Sequence, residues 1–185
     1  ACAPFRRLHL CDRNLELIND EEITTHNLLL EVLLAAQHEG QSLVEKHVEH
    51  NNICIALARS FADLGDIIRG KDLFLGDKKE KLDLEKKLKK IFAKIYENLT
   101  DEVKKHYKDD IDHNLYQLRE DWWALNREEV WKAITCKAPN DESYSKTRVY
   151  GTTGVSNGQC REGDGTVATN LDYVPQFVRW FEEWA

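Results

Sequence analysis

Eight lysines fall between Asp77 and Lys94, at positions 78, 79, 81, 86, 87, 89, 90 and 94. Asp77, Glu80, Asp83 and Glu85 offset half of them, leaving +4 over 18 residues. Clustered cations attract a polyanion because their fields add over the surface they share. Lys86, Lys90 and Lys94 stand on one i, i+4 line, with Lys79 and Lys87 nearby. These five lysines are the candidate glycan-binding residues. The competing reading is a solvated helix face, which is what most charge runs are.

Other reactive residue types offer less. His47 and His50 are three apart beside Glu45 and Glu49, a spacing that can seed a metal site. The His-Glu-x-x-His pattern of zinc hydrolases is absent, and exposed polar residues on a helix are the plainer reading. No Gly-x-Ser-x-Gly elbow or phosphate-binding glycine loop occurs, so the residues predict no enzyme, no metal and no cofactor. Five scattered cysteines, at 2, 11, 54, 136 and 160, leave at least one unpaired within the chain. None shares Cys-x-x-Cys spacing with another, which disfavours zinc ribbons and thioredoxin-type sites. The wide spacing suits structural disulfides in an oxidising compartment; buried thiols in a reducing one are the alternative.

Five tryptophans stand at 122, 123, 131, 180 and 184. Indoles suit sugar and protein interfaces, yet large aromatics more often build cores. The expectation is a core in which Trp122 and Trp131 pack against Phe177, Phe181 and Trp184. Asp66, Arg69 and Asp72 read as buried ion pairs and caps around a Gly65–Gly70 turn. Asn98-Leu99-Thr100 matches the acceptor triplet for N-glycosylation, a pattern that is also common by chance.

The elements that must position these residues are helical. From Thr25, Leu28, Leu29, Val32, Leu33 and Ala36 recur at three- and four-residue steps, and Gly40 is expected to stop the run. Ser42 and Glu45 form a capping-box pattern that would restart a helix to about Gly65 or Gly70. Its apolar stripe would hold Leu43, Val44, His47, Cys54, Ile55, Leu57, Ala58 and Phe61. The span 65–76 reads as a structured connection.

Leu84, Leu88, Ile91, Phe92, Ile95, Tyr96 and Leu99 then mark a helix from Asp77 to Leu99, with lysines on its far side. Thr100 supplies a cap and Asp101 and Glu102 an acidic first turn for a short helix to Tyr107. A long helix follows from about Asn114 to Thr135, its apolar side built from Leu115, Leu118, Trp122, Leu125, Val130 and Ile134. Residues 137–172 hold five of the nine glycines and read as one long loop. Lys137, Tyr144, Lys146, Arg148, Tyr150 and Arg161 make that loop a second candidate binding surface. Pro175 opens a last helix with Val174, Phe177, Val178, Phe181 and Trp184 on one side. No strand-period pattern competes, so the expected architecture is all-α: an irregular lead (1–20), a helical bundle (21–136), the Gly-rich loop (137–172) and a terminal helix (173–185).

Composition agrees. The 185 residues are 42% apolar and 32% charged, with net charge −7, which suits a globular chain and disfavours a general nucleic-acid binder. The longest apolar run, Leu28 to Ala36, is nine residues and contains Glu31, far short of a membrane span. The residues around Arg6, Arg7 and His9 lack the apolar stretch of a signal peptide. The absence of methionine predicts a processed chain or a segment of a longer one.

Four stretches are more particular than a generic bundle: Ala3-Pro4-Phe5-Arg6-Arg7-Leu8-His9-Leu10-Cys11, Ala58-Arg59-Ser60-Phe61-Ala62-Asp63-Leu64-Gly65-Asp66-Ile67-Ile68-Arg69-Gly70-Lys71-Asp72, Leu118-Arg119-Glu120-Asp121-Trp122-Trp123, and the run from Asp172 to Trp184. In this order they closely resemble the Duffy-binding-like domain of alpha type, from the variant erythrocyte membrane proteins of Plasmodium falciparum. The resemblance implies an all-α, disulfide-linked adhesion module on the surface of the infected red cell. Its partner would be a host erythrocyte receptor: a sulfated glycan such as heparan sulfate, a blood-group sugar, or complement receptor. It implies no catalysis, no cofactor, no nucleic acid and no membrane contact by this segment.

The resemblance further implies that this is the middle helical subdomain of a domain about twice as long, with adjacent subdomains as neighbours. The cysteines matching Cys2 and Cys11 would pair upstream, and Cys54 would bridge to Cys160. Family members usually carry cysteine where Leu33 stands, the expected partner of Cys136, so this chain departs from the pattern there. The other reading is a structural subdomain without a receptor site of its own. An intracellular helical enzyme or regulator, with all five thiols reduced, is a third.

Overall fold

The computed structural model describes residues 2–19, 25–46, 53–74, 78–107, 115–142, 144, 158–162 and 166–185, without the side chains of 25 and 78–81. Among the described residues, eight α-helices run in order: α1 (Phe5–Leu8), α2 (Arg13–Glu16), α3 (Thr25–Lys46), α4 (Ile53–Arg69), α5 (Lys78–Glu97), α6 (Asp101–His106), α7 (Tyr116–Ile134) and α8 (Gln176–Trp184). A 3-10 turn, Leu171–Tyr173, precedes α8. No strand occurs among the described residues, and the fold is all-α.

The helix ends follow local chemistry. Thr100 Oγ1 accepts from the Val103 N–H and caps α6. At the end of α4, Gly70 takes φ +73. The Lys71 N–H then reaches the Asp66 carbonyl at 2.8 Å and the Gly70 N–H the Ile67 carbonyl at 3.2 Å. This is a Schellman closure, which needs a residue tolerant of the left-handed region. The connection expected over 65–76 therefore begins later, and Gly65 lies inside α4 against the Trp123 ring.

Gly40 does not stop a helix. α3 continues through it and through Ser42 to Lys46, and α4 begins at Ile53. The reason is tertiary. A Cβ at position 40 would lie 1.9 Å from the Ile134 carbonyl oxygen, so glycine is what lets α3 and α7 pass backbone to backbone. Leu43 and Val44 consequently sit on α3, half-buried against the core, and His47 lies outside the described residues.

Four of the five tryptophans, Trp122, Trp123, Trp131 and Trp180, are buried, but not against the expected partners. α7 lies between α4 and α5, so adjacent side chains on it are buried in opposite directions. Trp122 meets Phe92 of α5 edge-on, with centroids 6.1 Å apart, while Trp123 meets Phe61 of α4 at 5.1 Å. Trp131 contacts Phe61 and Tyr144. Leu125, expected on the apolar side of α7, is exposed.

α8 is turned round relative to its apolar pattern. Gln176, Arg179 and Trp180 are buried, whereas Phe177, Phe181 and Trp184 are 54%, 74% and 61% exposed. What faces α8 across the interface is polar. Arg179 Nη2 donates to Asp63 Oδ1 at 2.6 Å and to Asp66 Oδ2 at 2.5 Å. Gln176 Nε2 donates to Asp63 at 3.0 Å and to Asp72 at 2.7 Å. Arg6 of α1 closes the other side of Asp63 at 2.6 Å and grips Glu183 with two bonds of 2.9 Å. Each buried charge is thereby matched, the condition for keeping it out of water.

Asp66, Arg69 and Asp72 hold the end of α4 as expected from sequence. Arg69 donates to Asp66 at 3.0 Å and Asp72 accepts from Arg7 at 2.7 Å. The Cys54 and Cys160 sulfurs are bonded, with Cα atoms 5.4 Å apart, tying the start of α4 to the segment ahead of α8. Cys2, Cys11 and Cys136 are free thiols within the chain.

Candidate functional site

The lysine line of α5 meets a second element. α5 buries Leu84, Leu88, Ile91, Phe92 and Ile95, which leaves the remaining faces to the lysines. α2 packs alongside, held where Lys87 Nζ donates to the Glu16 carbonyl at 2.5 Å. Between the two helices lies a groove of ≈ 420 Å³ lined by Arg13, Glu16, Leu17, Asp83, Lys86, Lys87 and Lys90. Four cations border it against two carboxylates. Lys86 reaches Asp83 only at 3.5 Å, with both side chains more than half exposed, a geometry that leaves the ammonium open to another anion.

The structure brings together three of the five expected lysines, Lys86, Lys87 and Lys90, and adds one residue that sequence reasoning missed. Arg13 lies over 70 positions upstream on a four-residue helix, and no periodicity connects it to α5. The arrangement suits a bound sulfate or carboxylate, since a guanidinium offers a planar fork of donors and ammoniums offer point charge. Lys94, half-buried, continues the line beyond the groove. Lys79 lies in the first turn of α5, with its side chain outside the described residues.

The loop surface is differently employed. Tyr144 is buried, with its hydroxyl 3.3 Å from Thr169 Oγ1, and burial pushes its pKa up. Arg161 donates to Thr135 Oγ1 at 2.7 Å and to the Lys132 carbonyl at 2.5 Å. These two residues hold the segment onto α7. Lys137 is exposed, and Lys146, Arg148 and Tyr150 lie outside the described residues.

The suggested His47 and His50 metal pair, with Glu49, also lies outside them. Its neighbour Glu45 accepts a bond from Gln41 at 2.8 Å. No group of three or more metal-ligating side chains occurs among the described residues. Burial and the Glu39 carboxylate push the Cys11 thiol up to about 11, so it stays protonated near neutrality.

The bundle is disulfide-stapled and all-helical, and it presents a basic groove between α2 and α5. In the family comparison, residues 1–179 match the Duffy binding domain, and the chain belongs to that family. Among solved structures it is similar to the NTS-DBL1(alpha-1) domain of Plasmodium falciparum membrane protein 1 (PfEMP1) of the varO strain. The two share 50% identity over 100% of this chain and 43% of that one, with TM-score 0.89. The NTS-DBL1-alpha and CIDR-gamma double domain of the same strain matches at 49% identity over 100% and 27% of the chains, also at 0.89. A PfEMP1 DBLb domain bound to human ICAM-1 matches at 35% over 97% and 38%, with TM-score 0.75. The chain thus spans less than half the length of each. Comparison with curated proteins gave no match. No described helix is long and apolar enough to cross a membrane.

Proposed function

We propose that this segment is part of a host-receptor-binding adhesion module displayed on infected red cells, and that Lys86, Lys87 and Lys90 with Arg13 form its contact for an anionic, sulfated glycan. Lys94 and Lys79 extend the same line. The observation that carries this reading is the convergence of α2 and α5 on one cationic groove. Binding would proceed by electrostatic attraction and surface fit, without bond making. Salt therefore weakens it, because counterions screen exposed charges beyond about 8–10 Å at physiological strength. The DBLb relative bound to human ICAM-1 supports receptor binding as the family's trade, and a host protein receptor is compatible with the same scaffold.

The test is heparin chromatography in rising salt, comparing the chain with a Lys86→Glu/Lys90→Glu double variant. The expected result is retention beyond that of a protein of net charge −7 and its loss in the variant. Equal elution of the two ends the proposal.

A second reading has its own observation. Phe177, Phe181 and Trp184 present an outward apolar stripe on α8, and the similar structures are more than twice as long as this chain. On that reading the segment is a scaffold against which neighbouring subdomains pack. Binding of the isolated 185 residues to uninfected red cells separates the two.

A further inference from the structure

Apart from the α2–α5 groove, and sharing no residue with it, a second cleft lies where α1, α3 and α4 meet. Its volume is ≈ 300 Å³, at the small end of what ligand pockets occupy. Its walls follow from helix spacing. Leu43 and Lys46 stand one turn apart on α3, and Ile55 and Arg59 one turn apart on α4, so each helix offers an apolar side chain with a cation beyond it. Phe5 of α1 closes the third side, largely exposed, with its ring centroid 4.3 Å from that of His9.

The charged groups of the cleft divide into engaged and open ones. Glu183 accepts two bonds of 2.9 Å from Arg6, and Glu39 accepts from Ser60 Oγ at 2.6 Å and from the Cys11 N–H at 3.0 Å. Arg59 and Lys46 hold no carboxylate among the described residues. Their fields fall on the Tyr144 hydroxyl and the Cys11 thiol, both neutral near pH 7. Arg59 is moreover half-buried, and a guanidinium drawn partly out of water without an anion lacks the partner that would offset its desolvation. We propose that this cleft binds a small amphipathic carboxylate, its apolar body covering Phe5, Leu43 and Ile55 and its head group bonded to Arg59 and Lys46. A guanidinium fork takes both oxygens of a carboxylate, and the exposed Phe5 ring leaves water when the body lies on it. The inference is independent of the glycan-binding reading, which uses other residues.

The experiment is calorimetric titration of the 185-residue chain with phenylpropionate, set against phenylpropanol and phenylpropylamine as neutral and cationic probes of the same body. The acid should saturate one site about tenfold more tightly than the alcohol, with the amine weakest, because a charge-assisted bond outweighs a neutral one. Arg59→Gln should bring the acid down to the alcohol and leave the alcohol unchanged. Circular dichroism checks that this variant folds, and if it does not, Lys46→Gln at an exposed position carries the comparison, with a several-fold loss for the acid alone. Lys86→Glu/Lys90→Glu should bind the acid as the unaltered chain does. Equal affinity for the three probes, or no saturation by the acid, overturns the proposal. Loss of the acid in the α5 variant overturns it too, since the carboxylate would then sit in the lysine groove.

Discussion

Between α4 and α8, Arg6, Arg69 and Arg179 meet Asp63 and Asp66 almost entirely out of water, while along α5 Lys86 and Lys90 stand exposed. Both regions are rich in charge, but they use it differently. In the first, guanidinium forks satisfy carboxylates geometrically, and the fields cancel within the fold. In the second, Lys86 and Lys90 keep their side chains at the surface, where an ion pair such as Lys86–Asp83 is solvated. The contrast teaches that charged positions in one chain divide by partner geometry: matched arginines build the domain, and the lysines at the surface contribute little to it.

The largest effect should come from breaking the matched region. Asp63→Ala removes the buried carboxylate that Arg6 and Arg179 share, leaving Arg6 only Glu183 and Arg179 only Asp66, and loss of one partner from such a cluster costs about 3–5 kcal/mol. Urea denaturation should show that loss as a lower midpoint with an unchanged slope. A change below ~1 kcal/mol would mean that the charges are hydrated and that the contrast with α5 is false.

A pH titration sharpens the same region. Burial pushes the Asp66 carboxyl from 3.8 up to about 6, against the pull of Arg179 and Arg69. Burial alone would raise Asp63 too, but Arg6, Arg179 and Gln176 hold it below its usual range. For Asp66 the folded chain binds the proton more tightly than the unfolded chain. Its contribution is therefore greatest below pH ~4 and declines as pH rises to about 6, by on the order of 2–3 kcal/mol. Asp63 acts oppositely and loses its contribution as pH falls below about 4. Asp66→Asn should remove the decline between pH 4 and 6 in denaturation midpoints. An unchanged slope in that variant would locate the pH dependence elsewhere, for instance at Asp12, which burial also raises to about 6.

The smallest stability effect belongs to the exposed region. Lys86→Glu/Lys90→Glu should leave the melting free energy within about 0.5 kcal/mol, while the proposed glycan contact predicts that it abolishes heparin retention. A large destabilisation would show that these lysines belong to the fold.

The helices themselves were readable because apolar residues at helical spacing and local caps carry their own signal. Thr100, Pro175 and the Leu84–Ile95 stripe place α6, α8 and α5 to within a few residues. What sequence could not supply was the identity of the facing surface. Gly40 looks like a stop until the Ile134 carbonyl is known to pass against it. The aromatic side of α8 looks like the buried one until Asp63 and Asp66 are found waiting for Arg179. Hydrophobic periodicity has no means of recognising an interface sealed by ion pairs. The lysine line was legible, whereas Arg13 was not, because its place beside α5 depends on how the N-terminal lead folds back.

The bond between Cys54 and Cys160 makes a covalent ring of everything between them, including α5, α7 and most of the glycine-rich segment. One proteolytic nick anywhere in that ring opens it and releases no fragment. A protease that cuts once within this ring would leave the two halves joined, with α8 still tethered to the start of α4 through the sulfurs.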